Sequence, residues 1–307
     1  MDVGELAATL PYLRREATRK LDRRRCSGEW FAPDPARGCM SGCWLHRAFG
    51  ADARPVVFEL HGGGFTLGDA RTSDSLRSWI RDSFEANVVG VEYRLAPEHP
   101  FPAALDDVAG TVRRIVVGDE LDVEPGRVIL MGFSAGANLA AAYALLSQRS
   151  DELPCASGLV LHYPCLDVSE RFDGCSSDGA SLEADAMAAY SDLYAGECDQ
   201  CDPLMSPLHA SDSELADFPR TVLAPVVGDV LLGQSERFRE RLLTASPFGR
   251  DRVVWQPVDG VEHGYVERDL NTANERSFVT KAIARSLEPL LGPVLHDIPL
   301  PIPEDSE

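Results

Sequence analysis

The feature that most constrains the fold is a series of short apolar segments, each ending in turn or helix-start chemistry. They lie at residues 56–60, 88–93, 128–133, 159–163, 221–227 and 252–256. Helical periodicity fills the intervals, at residues 72–86, 102–117, 135–146, 234–245 and 272–291. Strands that are apolar throughout must be covered on both faces, and their alternation with helices predicts a mostly parallel, doubly wound α/β sheet. Pro225 inside the fifth segment has no N–H to give a ladder, so a bulge or a strand end is expected beside it.

Outside this alternation lie three other stretches. Leu6, Leu10, Leu13, Ala17 and Leu21 are spaced as one face of an N-terminal helix. Residues 167–217 are rich in Ser, Asp, Gly and Cys with one helical piece at 183–194, an insertion of the kind that covers the C-terminal ends of strands. Residues 292–307 read as an acidic, proline-rich tail. The expected organisation is a single domain over residues 1–307, with a small helical cap from about 1–45 and the 167–217 insertion.

Charge and composition narrow the partners. Lys and Arg total 29 against 49 Asp and Glu, a net charge of −20, which repels phosphate backbones and anionic lipid, so no nucleic-acid partner is expected. No run approaches the roughly 18 apolar residues of a membrane span. Glu5, Arg14, Arg15 and Glu16 interrupt the first segment, which therefore reads as no export signal; a cytoplasmic location is expected, with the eight cysteines as thiols. Cys39 and Cys43, with Cys198 and Cys201, have spacings that four zinc-binding thiolates could use, but neither pair sits in a zinc-ribbon or finger context, and no metal is expected.

The chemistry concentrates at Gly132-Phe133-Ser134-Ala135-Gly136, a G-x-S-x-G pattern with an apolar strand before it and a small-residue helix after it. A serine on so tight a strand-to-helix turn is exposed to the helix's free N–H groups, and the flanking glycines let strand and helix approach. His61-Gly62-Gly63-Gly64-Phe65 follows the first apolar segment. Backbone amides of bare glycines suit a developing oxyanion, and Gly63, Gly64 and Ala135 are the donors expected. A phosphate-cradling loop fits less well, because no Lys-Ser/Thr follows and no G-x-G-x-x-G is present.

A nucleophilic serine needs a base and an orienting acid. Of seven histidines, His263 lies just beyond the last strand segment; His61 belongs to the glycine turn, His99 sits between prolines and His162 is inside a strand. Asp229, at the C-terminal end of the fifth segment, gives the order Ser134, Asp229, His263; Asp202 and Asp259 compete for the same role.

With these residues in view, the chain resembles the hormone-sensitive-lipase-like α/β-hydrolases, the bacterial family IV carboxylesterases. The resemblance rests on HGGGF at 61–65, YRLAPEHPFPAA at 93–104, GFSAG at 132–136, Asp202-Pro203 with Ser206-Pro207-Leu208, then Asp229 and His263-Gly264. It implies the α/β-hydrolase fold, a Ser134–Asp229–His263 triad and an oxyanion hole from Gly63, Gly64 and Ala135. It also implies cleavage of short-chain carboxylic esters, with a small-molecule ester as partner and no cofactor. A homodimer through the far edge of the sheet is expected by analogy. An amidase, deacetylase or acyltransferase on the same triad is the alternative, and a non-catalytic ligand-binding homologue a more remote one. In the 93–104 segment, Arg94 is expected to pair with Glu98. The sequence departs from the family at Phe133, where Asp or Thr is usual, at Ala137, where Gly is usual, and after the acid, where Asp229-Val230-Leu231-Leu232-Gly233-Gln234 replaces Asp-Pro-Leu-x-Asp-Glu.

Overall fold

The computed structural model describes residues 2–21, 26–50, 52–171, 184–246, 249–267, 272–296 and 298–300. In chain order these form α1 (Val3–Leu21), β1 (Glu29–Phe31), β2 (Cys43–His46), β3 (Arg54–Leu60), α2 (Asp74–Phe84), β4 (Asn87–Val91), α3 (Ala103–Val117), β5 (Val123–Phe133) and α4 (Ala135–Gln148). Then follow β6 (Gly158–His162), α5 (Ala184–Ala195), α6 (Asp212–Ala216), β7 (Arg220–Ala224), α7 (Leu232–Ala245), α8 (Gly249–Arg252), β8 (Val253–Trp255) and α9 (Ala273–Leu291). The six apolar segments are β3 to β8. As expected from Pro225, β7 ends at Ala224, and Val226 makes only an isolated bridge to Val258.

Among the described residues the strands make one sheet of eight, in the order β1-β2-β4-β3-β5-β6-β7-β8. From β4 to β8 all neighbours are parallel; β1 and β2 are antiparallel additions at one edge. Those two were not expected from the sequence. Neither Glu29–Phe31 nor Cys43–His46 is a β-branched run like the equally short Val253–Trp255 of β8, and β2 takes its form from pairing Cys43–His46 with Val91–Val88 of β4.

Alternation along the strands sends side chains to two cores. Val56, Phe58 and Leu60 of β3 face α3, α4 and α7, with Val108, Leu139 and Phe238 among the residues they join. Val57, Ile129 and Val160 face α2 and α9, where Trp79, Ile80, Ile283 and Leu287 are buried. Each such side chain, fully withdrawn from water, contributes about 1.5–3 kcal/mol. α4 is buried along nearly its whole length, and its alanines and glycine let it lie close to the sheet. α9 starts at a capping box in which Thr272 and Glu275 satisfy each other's backbone amides.

The strand order reverses at β3, which pairs in parallel with β4 on one side and β5 on the other. Leu60 stands opposite Gly132, so the loop after β3 and the turn after β5 leave the sheet side by side at the switch point, the place where open α/β sheets hold their ligands. Above this end lie α1 and α5, packed through Leu6 and Leu10 against Ala189, Tyr190 and Leu193. Only the first part of the α1 stripe is buried: Leu6 and Leu10 pack against α5, whereas Leu13, expected on the same face, is 38% exposed and outside that cluster. Of the 167–217 insertion, residues 172–183, including Phe172, lie outside the described residues, as do 301–307 of the tail.

Candidate active site

Ser134 sits between β5 and α4 with φ 52° and ψ −113°, a conformation costly for a side-chain-bearing residue and held here by its surroundings. Its N–H donates to the His162 carbonyl at 3.0 Å, and its own carbonyl accepts from Ala137 and Asn138. The two glycines of the pattern are sterically required. A Cβ on Gly132 would strike the Gly136 backbone, and one on Gly136 would strike the Leu60 and His61 carbonyls. The same contacts bring the glycine loop against the serine turn.

His263 is carried over this turn by the loop after β8. Its Nε2 lies 2.9 Å from Ser134 Oγ and its Nδ1 2.7 Å from Asp229 Oδ2. An ionised carboxylate only accepts, so the hydrogen-bond pattern places the ring proton on Nδ1 and leaves Nε2 to receive the serine proton. The Asp229 side chain is 2% exposed and that of His263 11%, and the imidazole stands edge-on to Tyr163, with ring centres 4.8 Å apart. Asp229 Oδ1 also accepts from the Leu231 amide. Of its competitors, Asp202 accepts from Leu204 and Asp259 from Gly260, each within its own turn.

Gly63 (φ 116°) and Gly64 (φ 58°) hold left-handed backbone that glycine adopts without strain. Both are also crowded: a Cβ on Gly63 would meet the Leu67 carbonyl, and one on Gly64 the Tyr190 ring. Among the described residues, the amides of Gly63, Gly64 and Ala135 have no acceptor. Beneath the loop, His61 Nδ1 donates to the Gly62 carbonyl at 2.8 Å, and burial draws the imidazole down to about 4, so it is neutral.

Several expectations need correction or completion. Arg94 does not pair with Glu98; it binds Asp107 at 2.8 Å, and Glu98 binds Arg14 of α1. The reason is burial: the Asp107 side chain is wholly buried and requires a counter-charge, whereas Glu98 is 56% exposed on a turn facing α1. Phe133, in the place of a polar residue, is fully buried against the rings of His162 and Tyr163. Nearby, Tyr194 stacks on Phe65 with ring centres 3.7 Å apart, and Trp30 packs on Trp44 at the sheet edge. Cys39 and Cys43 are buried, while Cys198 and Cys201 are exposed; among the described residues, no three His, Cys, Asp or Glu side chains group as metal ligands.

Three supporting residues were missed. Asn138 donates to the carbonyls of Cys165 and Met205 at 2.8 and 2.9 Å, tying α4 to the segment just before the insertion and to the insertion's later part. Its signal was available: it is the lone amide in a helical run of small and apolar residues. Gln234 accepts from the Leu166 and Asp167 amides and donates to the Asp167 carbonyl. Glu267 accepts from the Gly62 amide at 2.5 Å, and nothing local in the sequence marks it.

Comparison with known proteins finds likeness in family, sequence and fold. The family described as alpha/beta hydrolase fold matches residues 57–267. Esterase LipI of Mycobacterium tuberculosis is 35% identical over 217 residues, covering 69% of this chain and 66% of that protein. An esterase of Acinetobacter venetianus is 34% identical, over 62% of each. The chain thus spans just under two thirds of the length of these curated relatives. Among solved structures, a hyperthermophilic esterase from the archaeon Pyrobaculum calidifontis superposes with a TM-score of 0.75 at 26% identity, covering 94% of this chain and 95% of that one. The carboxylesterase EstE1, cloned from a metagenomic library, gives 0.76 at 28% identity, with 93% and 99% covered.

Proposed function

The chain belongs to the alpha/beta hydrolase fold family, and from that premise we propose that it is a serine carboxylesterase cleaving short-chain carboxylic esters through an acyl-enzyme. The observation that carries this reading is the unbroken line of hydrogen bonds from Asp229 through His263 to Ser134, beside amides with no acceptor among the described residues.

In the proposed reaction, His263 Nε2 takes the proton of Ser134 Oγ as the oxygen attacks the ester carbonyl. The negative charge that develops on the carbonyl oxygen meets the N–H groups of Gly63, Gly64 and Ala135, each such donor contributing about 3 kcal/mol in serine hydrolases. Collapse of the tetrahedral species breaks the ester C–O bond, and the alcohol leaves with the proton from His263. A water molecule, deprotonated by the same imidazole, then releases the acid and restores the serine. Asp229 holds the ring in its orientation and stabilises the imidazolium. α1 and α5 serve as a cap that bounds the substrate opening, with Tyr190 over Gly64. No helix among the described residues is long and apolar enough to cross a membrane, and the seven described cysteines are all free thiols, which fits a reducing cytosol.

The test is Ser134→Ala against a series of nitrophenyl esters of increasing acyl length, with fluorophosphonate labelling alongside. Turnover and labelling should both disappear while circular dichroism is unchanged; turnover that survives overturns the assignment. Anilides and acetylated sugars in the same panel separate ester from amide preference.

A further inference from the structure

The glycine loop is held by a clamp reaching from the other side of the site. In the His61–Gly62 peptide, the carbonyl accepts from the Tyr93 hydroxyl at 2.7 Å and the N–H donates to Glu267 Oε1 at 2.5 Å. In the next peptide, the Gly62 carbonyl accepts from His61 Nδ1. A trans peptide sets its N–H opposite its C=O, so fixing the Gly62 carbonyl aims the Gly63 N–H the other way. Of the three holds, Tyr93 comes from the loop just after the neighbouring β4 and His61 from the loop itself, whereas Glu267 comes from 205 residues away. Glu267 also donates its N–H to the Gly264 carbonyl, in the turn that carries His263. The fit is close, since a Cβ on Gly62 would occupy the place of Glu267 Oε2.

We propose that Glu267 is a positioning residue: by holding the Gly62 amide it sets the orientation of the oxyanion loop and ties that loop to the turn bearing the base. This rests on the hydrolase reading above. A carboxylate charge so near the loop would oppose a developing oxyanion, and the surroundings suppress it. Burial pushes the Glu267 carboxyl up, the Gly62 hydrogen bond draws it part of the way back, and Glu59 repels it, leaving it at about 8. The titratable groups facing it are Glu59 of β3, paired with Arg77 of α2, and the phenols of Tyr93 and Tyr163. In its neutral form the group accepts the Gly62 amide through its carbonyl oxygen.

The test compares Glu267→Leu, which removes the acceptor, with Glu267→Gln, which keeps a neutral one. On a short acyl ester, Glu267→Leu should lower kcat at least tenfold with KM within threefold, and Glu267→Gln should recover kcat to within threefold of the unaltered protein. The unaltered protein should lose kcat above pH 8 as the carboxyl ionises, and Glu267→Gln should not. Amide hydrogen exchange of residues 61–68 should quicken in Glu267→Leu only. A kcat in Glu267→Leu within twofold of the unaltered protein, or loop exchange that does not change, overturns the proposal. If Glu267→Leu does not fold, an alkaline limb that persists in Glu267→Gln overturns it. Absence of any ester turnover in the unaltered protein defeats the hydrolase reading instead, and the exchange comparison still decides the clamp.

Discussion

Arg14 Nη1 lies 2.8 Å from each carboxylate oxygen of Glu98, and the same guanidinium donates to the carbonyls of Thr66 and Ala96. One side chain of α1 therefore docks onto both the glycine loop region and the loop after β4. The Glu98 end is 56% exposed, so solvent screens the ion pair, and the part-buried carbonyl contacts carry more of the effect. Arg14→Ala should weaken the docking of α1 by on the order of 2 kcal/mol. Amide exchange over residues 3–17 should then quicken about thirtyfold with the global melting temperature nearly unchanged. Unchanged protection would mean that Leu6 and Leu10 hold the helix unaided.

Three acids competed for one role, and their settings separate them. Asp229→Asn reverses the hydrogen-bonding sense at His263 Nδ1 and should lower kcat about 10³–10⁴-fold with little change in KM. Asp259→Asn, on an exposed turn, should stay within twofold. Steady-state kinetics on one ester distinguish them; equal losses in the two would remove Asp229 from the triad.

Glu59 and Arg77 form a fully buried pair at 2.7 Å between β3 and α2. Burial pushes the Glu59 carboxyl up, the Arg77 charge and hydrogen bond oppose that push, and removing one partner strands the other. Glu59→Leu should cost about 3–5 kcal/mol in urea unfolding, and the double variant with Arg77→Met should regain most of it. A double variant no more stable than the single one would show that the packing of these side chains, rather than their charge, is what matters.

Burial holds His162 down at about 3, far below its unfolded value near 6.5. Between those limits the unfolded chain binds the extra proton, so the stability contributed by the neutral ring is present above pH 6.5 and drains away as pH falls. Relative to His162→Gln, the unaltered protein should lose on the order of 2 kcal/mol between pH 6.5 and 4.5. Urea titrations of both across that range give the difference, and a flat difference would contradict it.

The sheet was legible because its signal is local. Runs such as 56–60 and 128–133 are apolar throughout, and only burial on both faces accommodates them. Ser134 was legible for the same kind of reason: strand, small residues and helix must occur within a few positions for the turn to form. β1 and β2 escaped because neither carries a β-branched apolar run, and their form comes from the edge of β4.

The sequence by itself determined which segments become strands and helices, where the chain must turn tightly, and which serine, histidine and aspartate are available to meet. Only the tertiary structure decided which distant groups pair around them: Glu267 with Gly62, Gln234 with Asp167, Arg14 with Glu98 and Asp107 with Arg94. Hydrophobic burial and backbone sterics act over one or two turns of chain and so leave a pattern in the order of residues. A hydrogen bond or ion pair is chosen by which groups the packed sheet brings within 3 Å and deprives of water, and neighbours in sequence have no privilege in that choice.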